Sequence, residues 1–176
     1  MSGHNKWSKI KHKKAASDAQ KSRRFGKLTR LITVESKRAL GNPDSPGLRA
    51  AVEKARTENM PNENIERAVS KGKHDTGVTL DAVRYEFYGP GGSAIIVEGL
   101  TDNRNRTAAE MKHLLSKLGF ELASPGAASW AFTQVDNGWV PKTTVDISDA
   151  DINLLTTLVD TLEEHDDVQS VFTNVS

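Results

Sequence analysis

Gly72-Lys-His-Asp-Thr-Gly-Val-Thr-Leu80 is polar, carries two glycines and shows no hydrophobic period. It separates two stretches whose apolar residues recur at different spacings, and the fold class follows from that change. On its N-terminal side the spacing is helical. Across 14–40, Phe25, Leu28, Leu31, Ile32 and Ala39-Leu40 recur at three- and four-residue steps with charges between them. Gly41-Asn42-Pro43 stops this helix, since Gly and Asn accept a left-handed backbone and Pro cannot continue the ladder. Ser45-Pro46 offers an N-cap followed by proline at the first helical position. Leu48, Ala51, Val52 and Ala55 form the stripe of a second helix that ends near Asn59-Met60-Pro61. Asn62 caps a third, with Ile65, Ala68 and Val69 inward and Gly72 past its end. Three short amphipathic helices make a small bundle.

Beyond Leu80 the pattern turns strand-like. Val83–Tyr88 and Ala94–Val97 flank Gly89-Pro-Gly-Gly92, a turn sequence. Thr107–Leu118 is helical, with Ala108, Met111, Leu114, Leu115 and Leu118 on one face. Ala128–Thr133 and Trp139–Ile147 read as strands around the turn Asn137-Gly138. Ser148 and Asp151 fit a capping box that opens a last helix, striped by Ile152, Leu155, Val159 and Leu162, and Val168–Val175 closes as a strand. The order β-β-α-β-β-α-β predicts an α+β protein. Its N-terminal three-helix domain spans 1–74 and a linker covers 75–81. An α/β sandwich follows over 82–176, with helices on one face of a mostly antiparallel sheet.

The same seam divides the charge. Residues 1–74 hold eighteen Lys/Arg against seven Asp/Glu, a net of +11, and residues 75–176 hold six against sixteen, a net of −10. Residues 1–30 alone carry ten bases and one acid, Asp18. A half so charged is suited to a polyanion. The absence of cysteine excludes disulfide scaffolds, thiolate zinc sites, iron–sulfur clusters and cysteine nucleophiles. No stretch approaches the roughly 20 apolar residues of a spanning helix, and the basic start lacks the apolar core of a secretory signal. The expected partner is therefore nucleic acid, with no membrane, small-molecule substrate, metal or cofactor.

The candidate contact residues are Lys6, Lys9, Lys11, Lys13, Lys14, Lys21, Arg23, Arg24, Lys27 and Arg30, with Trp7 and His12 interleaved. Trp7 either stacks on a base or fills a gap in the bundle. In Thr101-Asp-Asn-Arg-Asn-Arg-Thr107, Arg104 and Arg106 beside a helix start suit a phosphate; the competing role is capping by Asp102 or Asn105. Gly89-Pro-Gly-Gly92 lacks the Lys-Ser/Thr of a phosphate loop and reads as a hairpin turn. Glu163-Glu-His-Asp-Asp167 offers metal-ligand types, but in a helix consecutive residues fan around the axis, so no metal is expected there. No linear catalytic motif is present.

Several blocks together resemble the YebC/PmpR family. They are Gly3-His-Asn-Lys-Trp-Ser-Lys-Ile-Lys-His-Lys-Lys-Ala-Ala16, Leu48-Arg-Ala-Ala51, Asn59-Met-Pro61, Asn64-Ile-Glu-Arg67, Tyr88-Gly-Pro-Gly-Gly92, Leu100-Thr-Asp-Asn-Arg-Asn-Arg-Thr107, Ser129-Trp130 and Asp166-Asp-Val-Gln169. The resemblance implies a helical domain followed by α/β domains and no enzymatic activity. It implies a DNA-binding transcriptional regulator or, alternatively, a ribosome-associated translation factor, the mitochondrial relatives being translational activators of cytochrome oxidase. With no extension before the first block, cytoplasm is expected. Family members carry a further α/β domain between the equivalents of Phe132 and Trp139, where Thr133-Gln-Val-Asp-Asn-Gly138 stands here. Three readings thus stand: a DNA-binding regulator, an RNA-binding ribosomal factor, and a protein adaptor working through the acidic half.

Overall fold

Amphipathic spacing builds the first unit of the computed structural model, which describes residues 18–74, 77, 79–136 and 138–176. The described residues fall into two units, one ending at Asp81 and the other running from Ala82 to Ser176. In the first, α1 (Asp18–Arg38), α2 (Pro46–Thr57) and α3 (Asn62–Lys73) follow one another through short turns. Leu28 and Ile32 of α1 meet Leu48, Ala51 and Ala55 of α2, Met60 of the turn, and Ile65 and Ala68 of α3. Leu40 leaves the stripe expected of it. It has φ +50° and is 92% exposed, because the terminating backbone rotates it away from the core before Gly41 closes on Ser36 O at 2.8 Å. Asn62 is the first residue of α3 with Pro61 in the cap position, and the Ser45 side chain makes no capping bond to α2.

Gly72 also differs from the expectation, since it is buried within α3 and does not end it. A Cβ there would lie 2.5 Å from Thr33 O and 2.6 Å from Ser36 Cβ, while Ser36 Oγ donates to Val69 O at 2.7 Å. The glycine lets the two helix backbones meet. Gly72→Ala is accordingly expected to cost about 1–3 kcal/mol through overpacking. Thermal unfolding followed by helical circular dichroism measures this, and an unshifted midpoint would show that α1 and α3 can separate freely.

The second unit comprises β1 (Asp81–Tyr88), β2 (Ala94–Thr101), α4 (Arg104–Lys117), β3 (Phe132–Val135), β4 (Gly138–Pro141), α5 (Asp149–Glu164) and β5 (Val168–Thr173). The strands form two sheets, β1-β2-β5 and the hairpin β3-β4, in place of the single sheet expected. β2 is central and pairs antiparallel with β5, Ile95 opposite Thr173. Ile95 and Val97 face Met111 and Leu115 of α4 and Leu155, Leu158, Val159 and Leu162 of α5. Ala94 and Ile96 face the other way, onto Ala128, Ala131, Phe132 and Trp139. Burial on both faces explains why Ala94–Val97 runs apolar without alternation.

Two predicted strands shorten. Ser129–Ala131 is a 3₁₀ turn, so β3 starts at Phe132. β4 stops at Pro141, which has no N–H to extend the ladder; Lys142 N and Thr143 N turn back to Ala131 O. Ser148 caps α5 as read, its Oγ accepting from Asp151 N at 3.1 Å and donating to Asp151 Oδ2 at 2.7 Å. Among the described residues no helix is long and apolar enough to cross a membrane.

Candidate nucleic-acid interface

The apolar stripe of α1 turns Leu28 and Ile32 onto α2 and α3, which leaves the basic residues on the remaining arc. Lys21, Arg23 and Arg24 are exposed, and Lys27 and Arg30 are half-buried. Arg23, Lys27 and Arg30 stand at i, i+4 and i+7, so they share one side over roughly 10 Å of helix. Arg24 reaches Glu58 at 3.6 Å, both side chains about half exposed, a pairing that contributes little against solvent. Lys6, Trp7, Lys9, Lys11, His12, Lys13 and Lys14 lie outside the described residues.

Residues 101–107 are arranged for internal bonding. Asn103 caps α4, its Oδ1 accepting from Arg106 N at 3.0 Å, where Asp102 or Asn105 was expected to do so. The Arg106 guanidinium contacts Asp167 Oδ2 at 2.8 Å, Asp102 Oδ1 at 2.9 Å and Glu110 Oε2 at 3.8 Å. Asp167, 4% exposed, also accepts from the Thr107 hydroxyl at 2.7 Å. Arg104 donates to Ala82 O at 3.2 Å. With three carboxylates around it, Arg106 fastens the start of β5 to the start of α4 in place of the phosphate contact expected of it.

The same lock gathers residues the sequence did not bring together. α5 ends at Glu164, so His165 and Asp167 leave the helical fan and converge with Glu110, their ligand-type atoms within 4.8 Å of one another. His165 Nδ1 accepts from Asp167 N at 3.2 Å, which places a proton on Nε2 and directs it to Glu110 at 3.0 Å. The cation serving these carboxylates is Arg106.

The polar face of β1 holds a third arrangement. Arg84, Glu86 and Tyr88 alternate with Tyr85 and Phe87, which turn toward the helices. Arg84 lies 4.5 Å from the centroid of Trp139, whose indole N–H donates to Glu98 at 2.8 Å. Glu86 is 4% exposed, and its Oε2 accepts from Ala128 N at 2.9 Å and Ser129 N at 2.8 Å. Burial pushes its carboxyl up, but hydrogen bonds from the Ala128, Gly126 and Ser129 backbones and the Ser129 side chain outweigh burial and hold it below the usual range. Tyr88 donates its hydroxyl to Ala127 O and accepts from the Trp130 indole N–H at 2.8 Å. Sequence reasoning missed this group; its signal was the polar alternation of β1.

Residues 5–75 match the TACO1/YebC protein N-terminal domain, and residues 80–137 and 132–175 match the TACO1/YebC second and third domain. A relative from Thermotoga petrophila, named probable transcriptional regulatory protein, is 55% identical over 134 residues, 75% of this chain and 53% of the relative. The chain thus spans about half the length of that relative. A relative of the same description from Thermoanaerobacter pseudethanolicus is 37% identical over 238 residues, covering 99% of this chain and 97% of the relative. A conserved hypothetical protein from Aquifex aeolicus has a similar crystal structure, with a TM-score of 0.80 and 33% identity over 97% of this chain and 96% of that one.

Proposed function

Because this chain belongs to the TACO1/YebC family, whose relatives are named probable transcriptional regulatory proteins, we propose that it is a non-enzymatic, DNA-binding regulator of gene expression. It acts in the cytoplasm, and its basic helical half makes the contact. The observation that carries this reading is the row of Lys21, Arg23, Arg24, Lys27 and Arg30 on the side of α1 away from its core stripe. Such a row neutralises phosphates and says nothing of sequence, so base readout rests with other residues. The preceding lysines, Lys6 to Lys14, extend the same charge. Arg104 and Arg106 are left out, since their hydrogen bonds run to the chain itself. We also read Thr133–Gly138 as the point where longer relatives carry their additional domain; the two matched segments of the second and third domain abut at 132–137.

The test is binding to promoter and random duplex DNA, beside co-sedimentation with ribosomes, at two salt concentrations. Each neutralised phosphate contributes about −0.9 to the log–log salt slope, so six contacts give roughly −5. Steeply salt-dependent binding with a preference among duplexes is expected. Ribosome retention with no preference for DNA would move the target to ribosomal RNA, and no binding in dilute buffer would end the reading.

A further inference from the structure

Tyr88 and Trp130 are exposed by 42% and 52%, yet neither is a loose surface aromatic. Their polar edges are already used: the indole N–H goes to the Tyr88 hydroxyl, and that hydroxyl goes to Ala127 O. What remains for a partner is ring surface. The loop beneath them is fixed by the buried Glu86 carboxylate, which holds the Ala128 and Ser129 amides on either side of the indole's own residue and its neighbours. Burying an ionised carboxylate under an exposed loop is costly unless fully paired, and here it fixes the two rings before any partner arrives.

We propose that Tyr88 and Trp130 form a stacking platform for an unpaired nucleobase. This rests on the reading of the chain as a nucleic-acid binder and narrows its target. A base inside a duplex has no free face, so the platform serves single-stranded, flipped or looped positions. The choice of a nucleobase over a polypeptide follows from the chain itself. Nearly all ring hydrogen-bonding capacity is spent, so selection falls on a flat face, and the net charge of +11 over residues 1–74 supplies the backbone attraction that base stacking needs beside it. Neither ring is charged, so the contact strengthens binding without steepening its dependence on salt.

The experiment uses the full chain and a labelled mixed-sequence 12-nucleotide RNA, alone and annealed to its complement, with anisotropy read at two salt concentrations. Trp130→Ala is expected to weaken single-strand binding by about 5- to 150-fold, leave the salt slope unchanged, and leave duplex binding as it was. Trp130→Phe, which keeps a ring, is expected to retain most of the affinity. Equal single-strand binding by the wild type and Trp130→Ala overturns the platform alone. A wild type that binds neither form overturns the platform together with the reading it rests on. Protection of Trp130 from oxidation by a peptide, and not by the RNA, overturns it in favour of a polypeptide partner.

Discussion

Glutamine in place of Lys21, Arg23, Arg24, Lys27 and Arg30 together is expected to lower nucleic-acid affinity by roughly four orders of magnitude at about 0.1 M salt. The size follows from counterion release. Each cation that neutralises a phosphate contributes about 0.9 to the slope, and five removed together flatten it by up to about 4.5. The helix itself should survive. Lys21, Arg23 and Arg24 are exposed, the Arg24–Glu58 pair is a half-exposed contact at 3.6 Å, and glutamine keeps part of the aliphatic stem at the half-buried Lys27 and Arg30. Binding isotherms over a salt series measure the slope, with circular dichroism as the fold control. A folded variant whose slope matches the wild type would remove α1 as the contact surface. Neutralising Lys9, Lys11, Lys13 and Lys14 in a separate chain divides the charge between the two basic segments.

The sequence was most legible where one physical rule acted alone. Leu28, Ile32, Leu48, Ala51, Ala55, Ile65 and Ala68 announce their burial by helical spacing, because each helix has one face to cover. The element order of the second unit was equally plain from turn residues and period. Failures came where a residue answered to a distant neighbour. Gly72 looks like a helix stop, but Thr33 and Ser36 of another helix require it inside α3. Ala128–Thr133 has strand composition, yet Glu86, more than forty positions away, bends its backbone around a carboxylate. The candidate site divides the same way. The cationic arc of α1 is visible as composition, whereas the roles of Arg106 and Trp130 depend on Asp167 and Tyr88, which only folding brings near. Linear spacing carries no information about such pairs.

Glu86 offers the largest expected effect on stability. Glu86→Ala leaves the Ala128 and Ser129 amides without their acceptor beneath a loop, and it deletes a buried charge-assisted network. The expected cost is roughly 3–5 kcal/mol, a large share of the stability of an ordinary domain. Its dependence on pH gives the test a signature that a packing defect lacks. The folded carboxyl sits below its usual range, so the unfolded chain binds a proton more readily. The stabilisation is therefore complete above the unfolded glutamate pKa of about 4.3 and is lost as pH falls through the folded value. Denaturant melts of the wild type and Glu86→Ala should differ fully near neutrality and converge in acid. Glu86→Gln, which keeps an acceptor oxygen but no charge, should lose less near neutrality and show the same convergence. A gap between the wild type and Glu86→Ala that stays constant down to strongly acid pH would mean the carboxylate fills space, and that the loop bearing Trp130 is held by something else.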